Sequence, residues 1–294
     1  GLDIKYGIND AFTLDAILVP DFGQTKFDNV VLNLGPFEQQ FNENRPFFTE
    51  GTDLFSKGNL LYSRRIGQVP DLNLIAENES IDKGAINLVN ALKVSGRDKD
   101  GLGIGFLNAI TEKTMATVTN NDTDETRYIE ISPLSNYNVM VFDQRFNQNS
   151  SVTFINTNVT RNGSFRDANV TGLLFDLNNK TNTYNLSGGL KSSSINDIEN
   201  KNGYNASLYF AETNGKFRYS FGSEYMSKDF EINDLGINFR TNYYSFSGNT
   251  NYRILNPNKT FNTFRINLNS YFEFYTPTNQ IQTSNFNVNL NSTN

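Results

Sequence analysis

The chain has 294 residues, enough for one large all-β domain or two ordinary ones. Its 25 basic and 31 acidic residues are interspersed and sum to a net charge of -6, which argues against nucleic acid as a partner, because phosphate binding needs clustered Lys and Arg. The absence of Cys and His removes disulfides, thiolate chemistry, the usual zinc ligand sets and every His-dependent triad. Hydrophobic residues make up 37%, mean hydropathy is -0.50, and no run approaches the roughly 18–20 apolar residues of a membrane helix. A helical membrane protein is thereby excluded. A membrane barrel is not, since its strands alternate and average out to a polar-looking sequence. The 25 Phe and 14 Tyr, with no Trp, suit rings on strand faces and at interfaces. The abundant Asn reads as genomic bias and turn demand. Both ends, GLDIKYGIND and NVNLNSTN, fall inside strand patterns, so the sequence is expected to be an interior piece of a longer chain.

In chain order, Leu2, Ile4, Tyr6 and Ile8 alternate, Asn9-Asp10 turns the chain, and Phe12, Leu14, Ala16 and Leu18 alternate again. This predicts a first hairpin over 1–19, ended by Pro20, which cannot donate to a central ladder. From 20 to 66 the rhythm disappears into an irregular insert with Gly-Pro and Arg-Pro breaks and an expected short helix near Phe37 to Phe41. An insert of this length is unusual inside a compact domain, but the lumen of a barrel can hold it.

The succession GLDIKYGI, LVPDFGQ, VVLNLGPFEQQF, NRPFFTEGTDLF and LLYSRRIG resembles the opening of a Bacteroidota envelope family of unknown function. In that family a family-9-like carbohydrate-binding domain precedes an outer-membrane β-barrel. The likeness is strongest from Gly1 to about Gly67. Its core is Arg45, Pro46, Phe47, Phe48, Glu50, Gly51, Asp53 and Phe55, followed by Arg64 and Arg65. The family usually has an acidic residue just after the Gln of PDF-x-Q, where this chain has Thr25 and Lys26, with Asp28 later. The resemblance implies an outer-membrane barrel. The activity of the carbohydrate-binding domain does not carry over, because that domain lies outside these residues.

After a polar connector over 67–83, alternating segments fill 84–294. They are expected at Ala85 to Ser95, Leu102 to Val118, Asn136 to Phe146, Val152 to Arg161, Ala168 to Leu177, Thr183 to Ser192, Tyr204 to Thr213, Lys216 to Met226, Ile237 to Leu255, Phe261 to Tyr275 and Ile281 to Leu290. The pair at 203–226 is the clearest: two two-faced arms joined by Asn214-Gly215, which predicts a type I′ turn. Short turns (Arg97 to Asp100, Asn147 to Asn149, Asn178 to Lys180, Asn214-Gly215, Asn256 to Lys259) alternate with longer polar connections (Thr119 to Glu125, Asn162 to Asp167, Ser193 to Asn202, Ser227 to Leu235). Outer-membrane barrels produce this alternation through short periplasmic turns and longer outer loops. A soluble sandwich or propeller, the remaining structural alternative, has no reason to.

Gly101, Gly103 and Gly105 share one strand face and form a side-chain-free strip. The nucleotide-loop spacing fails at Phe106, so the strip is expected to face the lumen and receive the insert, with a bulge near Leu107 and Asn108 where the alternation slips. Glu38, Glu43, Glu50 and Asp53 offer carboxylates of the kind a glycosidase pairs, but pairing with Arg45, Arg64 and Arg65 in a polar lumen is the preferred reading. Asp122, Asp124 and Glu125 are a weak calcium candidate without the Gly and distal Glu of an EF-hand. Tyr128, Tyr137, Tyr243, Tyr244, Phe272, Phe274 and Tyr275 are expected in an interfacial aromatic girdle rather than in sugar stacking.

The expectation is an all-β, antiparallel transmembrane β-barrel of outer-membrane type, of about a dozen or more strands, with an irregular lumen-associated insert. It is non-enzymatic, needs no cofactor, and serves as scaffold, plugged channel or accessory subunit in the outer membrane of a Gram-negative bacterium. Its partners are outer-membrane lipid, with other outer-membrane proteins, lipoproteins and glycans as further candidates. The alternative is a glycan-binding or polysaccharide-processing envelope protein whose active domain lies elsewhere.

Overall fold

The computed structural model describes residues 2–18, 40–43, 45–68, 75–76, 78–82, 86–147, 149–257 and 262–293. Its strands are β1 (Leu2–Gly7), β2 (Phe12–Leu18), β3 (Glu79–Asp82), β4 (Leu88–Arg97), β5 (Leu102–Thr111), β6 (Thr114–Asn120), β7 (Thr126–Ser132) and β8 (Ser135–Phe146). They continue with β9 (Ser150–Arg161), β10 (Asp167–Asn178), β11 (Tyr184–Asn196), β12 (Lys201–Glu212), β13 (Phe217–Met226), β14 (Tyr243–Ile254), β15 (Thr263–Tyr275) and β16 (Ile281–Thr293). The only α-helix among the described residues is one turn, α1 (Pro46–Thr49), begun by a proline whose missing N–H costs nothing there. The helix expected near Phe37 to Phe41 is not formed at Gln40 and Phe41, and its first residues lie outside the described ones.

Thirteen strands form one antiparallel sheet in the order β1-β2-β4-β5-β8-β9-β10-β11-β12-β13-β14-β15-β16, each beside the next in that order. The expected all-β antiparallel architecture is therefore found. The sheet is not closed: β1 and β16 are its edges among the described residues. Side chains alternate cleanly between two faces, as on β8, where Tyr137, Val139 and Val141 are buried while Met140 and Phe142 are exposed. We call the buried face inner.

Connections at one end of the sheet are short, as at Asp98–Gly101 and Thr213–Lys216. At the other end the β2–β4 and β5–β8 connections meet in a second, three-stranded sheet, β3-β6-β7. Two sequence expectations fail here. The connector contributes β3, and the long segment Leu102 to Val118 breaks at Glu112-Lys113, so that only β5 stays in the main sheet. The period of two runs on across the break, which hides a change of partner. No bulge occurs at Leu107 or Asn108. The β5–β8 register is continuous, and the irregular position is between Leu88 and Asn90.

The expected strand Ile237 to Leu255 begins only at Tyr243, because residues 227–242 fold back over the inner face and bury Phe230, Ile232 and Leu235. The Asn214-Gly215 turn is also not type I′. Gly215 has φ +90°, but Asn214 does not join it at positive φ, as a four-residue loop allows.

Segment 227–242 rests on β12 at Gly203, where an added Cβ would lie 2.1 Å from the backbone nitrogen of Phe230. Backbone cannot yield as a side chain does. Gly203→Ala is therefore expected to lose about 1–3 kcal/mol in equilibrium urea unfolding. A variant as stable as the parent would mean that this segment does not lie on β12.

Candidate functional site

The inner face carries the described part of the insert, and one lysine anchors it at α1. Lys93 projects inward from β4 and is 1% exposed. Its ammonium donates to the carbonyls of Phe47 at 2.6 Å and Glu50 at 2.8 Å, pairs with Asp15 of β2 at 3.3 Å, and lies over the Phe47 ring. Those carbonyls belong to α1 and the residue just after it, and a helix C-terminus has no intrahelical partners for its last carbonyls. Lys93 thus ties two strands to the insert with one buried charge. Glu50 also pairs at the surface with Lys5.

Arg45 staples the insert to itself. It is 8% exposed, forks onto Glu43 at 2.7 and 2.8 Å, and donates to the carbonyls of Ser63 and Ile66 while covering the Phe48 ring. Ser63 donates to Glu43 at 2.5 Å. Burial pushes the Glu43 carboxyl up, but the hydrogen bond and charge of Arg45, with the Ser63 hydroxyl, outweigh it and hold the group below its ordinary 4.5. Arg64 reaches the carbonyl of Asn42 and approaches Glu43 at 3.8 Å, whereas Arg65 donates to the carbonyl of Gly236. Asp53 is exposed, and its carbonyl accepts from Ser56. Glu38 lies outside the described residues.

Beyond Gly51, at φ +60°, the insert crosses the strands. A Cβ on Gly103 would meet Leu54 at 2.8 Å, and one on Gly105 would meet the Phe55 ring at 3.1 Å. Side-chain-free positions on β5 are what allow these two apolar residues, 2% and 3% exposed, to reach the sheet. Gly101 is not on this strip. It sits in the turn before β5 at φ +90°, against the carbonyl of Arg145. Further on, Lys57 approaches Asp143 of β8 at 3.4 Å, Leu60 packs over Gly172 of β10, and the amide of Tyr62 donates to the carbonyl of Leu235. The insert and segment 227–242 therefore form one continuous cover.

The second half of this cover is pinned electrostatically. Arg166 donates to Asp234 at 2.5 Å and to Glu231 at 2.7 Å, and Arg161 pairs with Asp234 at 2.9 Å. Burial would lower the Arg166 pKa, but the two carboxylates raise it overall. The amide of Glu231 donates to Ser193 of β11. Sequence reasoning placed 227–235 in a polar outer loop, because its charged residues mask the spacing of Phe230, Ile232 and Leu235.

The carboxylates of this region that sequence reasoning weighed for chemistry do not form an isolated pair: Glu43 is engaged by Arg45 and Glu50 by Lys5. The β6–β7 loop is shaped by Asn120, whose side-chain oxygen accepts the amides of Asp122 and Thr123, while Asp122 accepts from Asn78. Among the described residues no three acidic side chains gather as a metal site, so Asp122, Asp124 and Glu125 form no calcium cage. Of the expected girdle residues, Tyr137 and Tyr243 are buried on the inner face and Tyr128 stands on the small sheet.

Two outcomes follow from this geometry. Lys93→Met strands Asp15 and two carbonyls and should cost about 3–5 kcal/mol in urea unfolding, with new proteolytic cleavage inside 45–66. Intact protection of that segment would contradict its anchoring role. The folded pKa of Glu43 is the lower one, so its stabilisation is present above about 4.5 and disappears as pH falls through the folded value. Glu43→Gln should flatten the acid limb of a stability-against-pH curve, and an unchanged limb would reject this assignment.

Among solved structures, the chain is similar to the crystal structure of Pseudomonas aeruginosa OccK5 (OpdH), with a TM-score of 0.29 and 10% identity over 73% of this chain and 83% of that one. No curated protein matches it. A family model matches residues 1–294 from end to end, and the chain belongs to that family, described as a domain of unknown function, DUF5916.

Proposed function

We propose that this chain is a non-enzymatic integral β-barrel protein of the outer membrane of a Gram-negative bacterium, whose inner face is occupied by its own insert. It works as a scaffold, plugged channel or accessory subunit of an envelope assembly. The observation that carries this reading is the outer face of the sheet. From β11 to β15 its side chains form two aromatic rows. Tyr184, Phe210, Phe217, Tyr252 and Phe264 lie toward the short turns, and Tyr204, Tyr225, Tyr244 and Phe274 toward the long connections. Leu190, Leu208, Phe221 and Leu268 stand between them, 37% to 65% exposed. On β13 the rows are eight residues apart, Phe217 to Tyr225, close to the roughly 9–11 residues of a tilted bilayer crossing.

On β5, β8, β9 and β10 the outward residues change character along the strand. Phe106, Phe142, Phe154 and Leu173 give way toward the long connections to Asn108, Asn138, Asn158 and Asn169, one register row of amides. Water has no reason to sort the two ends of a strand in this way, whereas a hydrocarbon layer bounded by headgroups does. The finer relation, to a Bacteroidota envelope family with a preceding family-9-like carbohydrate-binding domain, is part of the proposal and rests on the RPFF-x-EG-x-D-x-F core. It would place glycans among the partners.

Retention in the pellet after carbonate washing, with heat-modifiable mobility in gels, tests the membrane reading. Release into the supernatant would end it. Depth is tested by Leu208→Arg, mid-row on β12, which should cost about 2–4 kcal/mol in vesicle-reconstituted protein, against about 0–1 for Asn202→Arg near the long-connection end. Equal costs would contradict a lipid-facing belt.

A further inference from the structure

Charges on the inner face are compensated almost wherever they occur: Arg97 has Asp143, Arg161 has Asp234, and Arg240 has Glu273. Lys191, half-buried on β11, has no such partner, and one cluster among the described residues departs further. At the short-turn ends of β13, β14 and β15, Arg218, Arg253 and Arg265 all stand on the inner face, opposite in parity to Phe217, Tyr252 and Phe264. The register sets Arg253 directly across from Arg265 and puts Arg218 across from Asn251, two residues along β14 from Arg253. Directly opposed side chains have Cβ atoms about 4.5–5.5 Å apart, and like charges there are destabilising.

Neither Arg253 nor Arg265 has an ion pair or side-chain hydrogen bond among the described residues, and Arg218 donates only to the carbonyl of Gly215 at 3.3 Å. The next carboxylate along this face of β13 is Glu224, six residues away or about 20 Å. It is already held by Asn205 and Tyr243. Around the arginines stand amides. Asn267 lies across from Asn251, and Asn291 across from Arg265.

We propose that this cluster binds an oxyanion, the carboxylate or phosphate group of a small solute reaching the inner face from the short-turn end. Guanidinium groups match both anions with two parallel N–H donors, and the neutral amides add donors without adding repulsion. A bound anion would relieve the Arg253–Arg265 repulsion, which no carboxylate among the described residues compensates. The same strands present aromatic rings to the other side, so the cluster faces away from any lipid. The site goes beyond the membrane reading and holds whether or not that reading does.

The test is thermal unfolding of the full chain in chloride, acetate or inorganic phosphate at matched ionic strength, for the parent and for Arg253→Gln/Arg265→Gln. Acetate or phosphate should raise the parent's midpoint above that in chloride, the responding salt identifying the anion. The double variant should lose that rise while unfolding no earlier than the parent in chloride. An equal rise in both proteins, or none beyond chloride, overturns the site. Should the double variant fail to fold, Arg265→Gln alone, at an exposed side chain, serves the same comparison.

Discussion

A lysine ammonium buried in the second layer of a sheet protein has to be compensated on every side, and Lys93 meets that demand by joining parts of the chain that are otherwise independent. Asp15 comes from β2, and the carbonyls of Phe47 and Glu50 come from the insert, so the charge is satisfied only when hairpin, sheet and insert are all in place. The rest of the cover follows from that anchor. Once α1 is fixed beside β4, Leu54 and Phe55 fall over the glycines of β5, and the chain has a direct path across the strands to segment 227–242. The cover also spans long sequence separations. Arg65 and Gly236 are 171 residues apart, whereas most neighbouring strands of the main sheet are consecutive in sequence.

The strands were legible wherever one face is apolar and the other polar, because a period of two has no other solution. β8 through β13 were found within a few residues for that reason. β5 and β6 were read as one strand and β7 was not read at all, since alternation reports faces and says nothing about which sheet a strand joins. Ile237 to Tyr243 alternates well enough to imitate a strand. Its backbone instead follows contacts that Phe230 and Leu235 make across the sheet, which no local pattern encodes.

The site was legible to a similar degree. Glycines at alternate positions pointed to a close approach, and Arg45 stood inside a recognisable core of residues. Lys93 gave no such signal, because a single lysine in an alternating strand looks like an outward polar residue. Only its neighbours Ala91 and Ser95, small residues on the same face, mark that face as one that something else covers. Arg218, Arg253 and Arg265 were equally silent: which side chains face them is a property of register, and the alternation along one strand does not report register.

The main sheet has a parity. Among the described residues, thirteen strands alternating in direction leave β1 and β16 running the same way. If those two edges met, their hydrogen bonds would be slanted and evenly spaced, a parallel seam in an otherwise antiparallel wall. A wall antiparallel all the way round instead requires an odd number of strands between them. A hairpin supplies two and therefore cannot complete the ring; one strand or three can, whichever chain they come from.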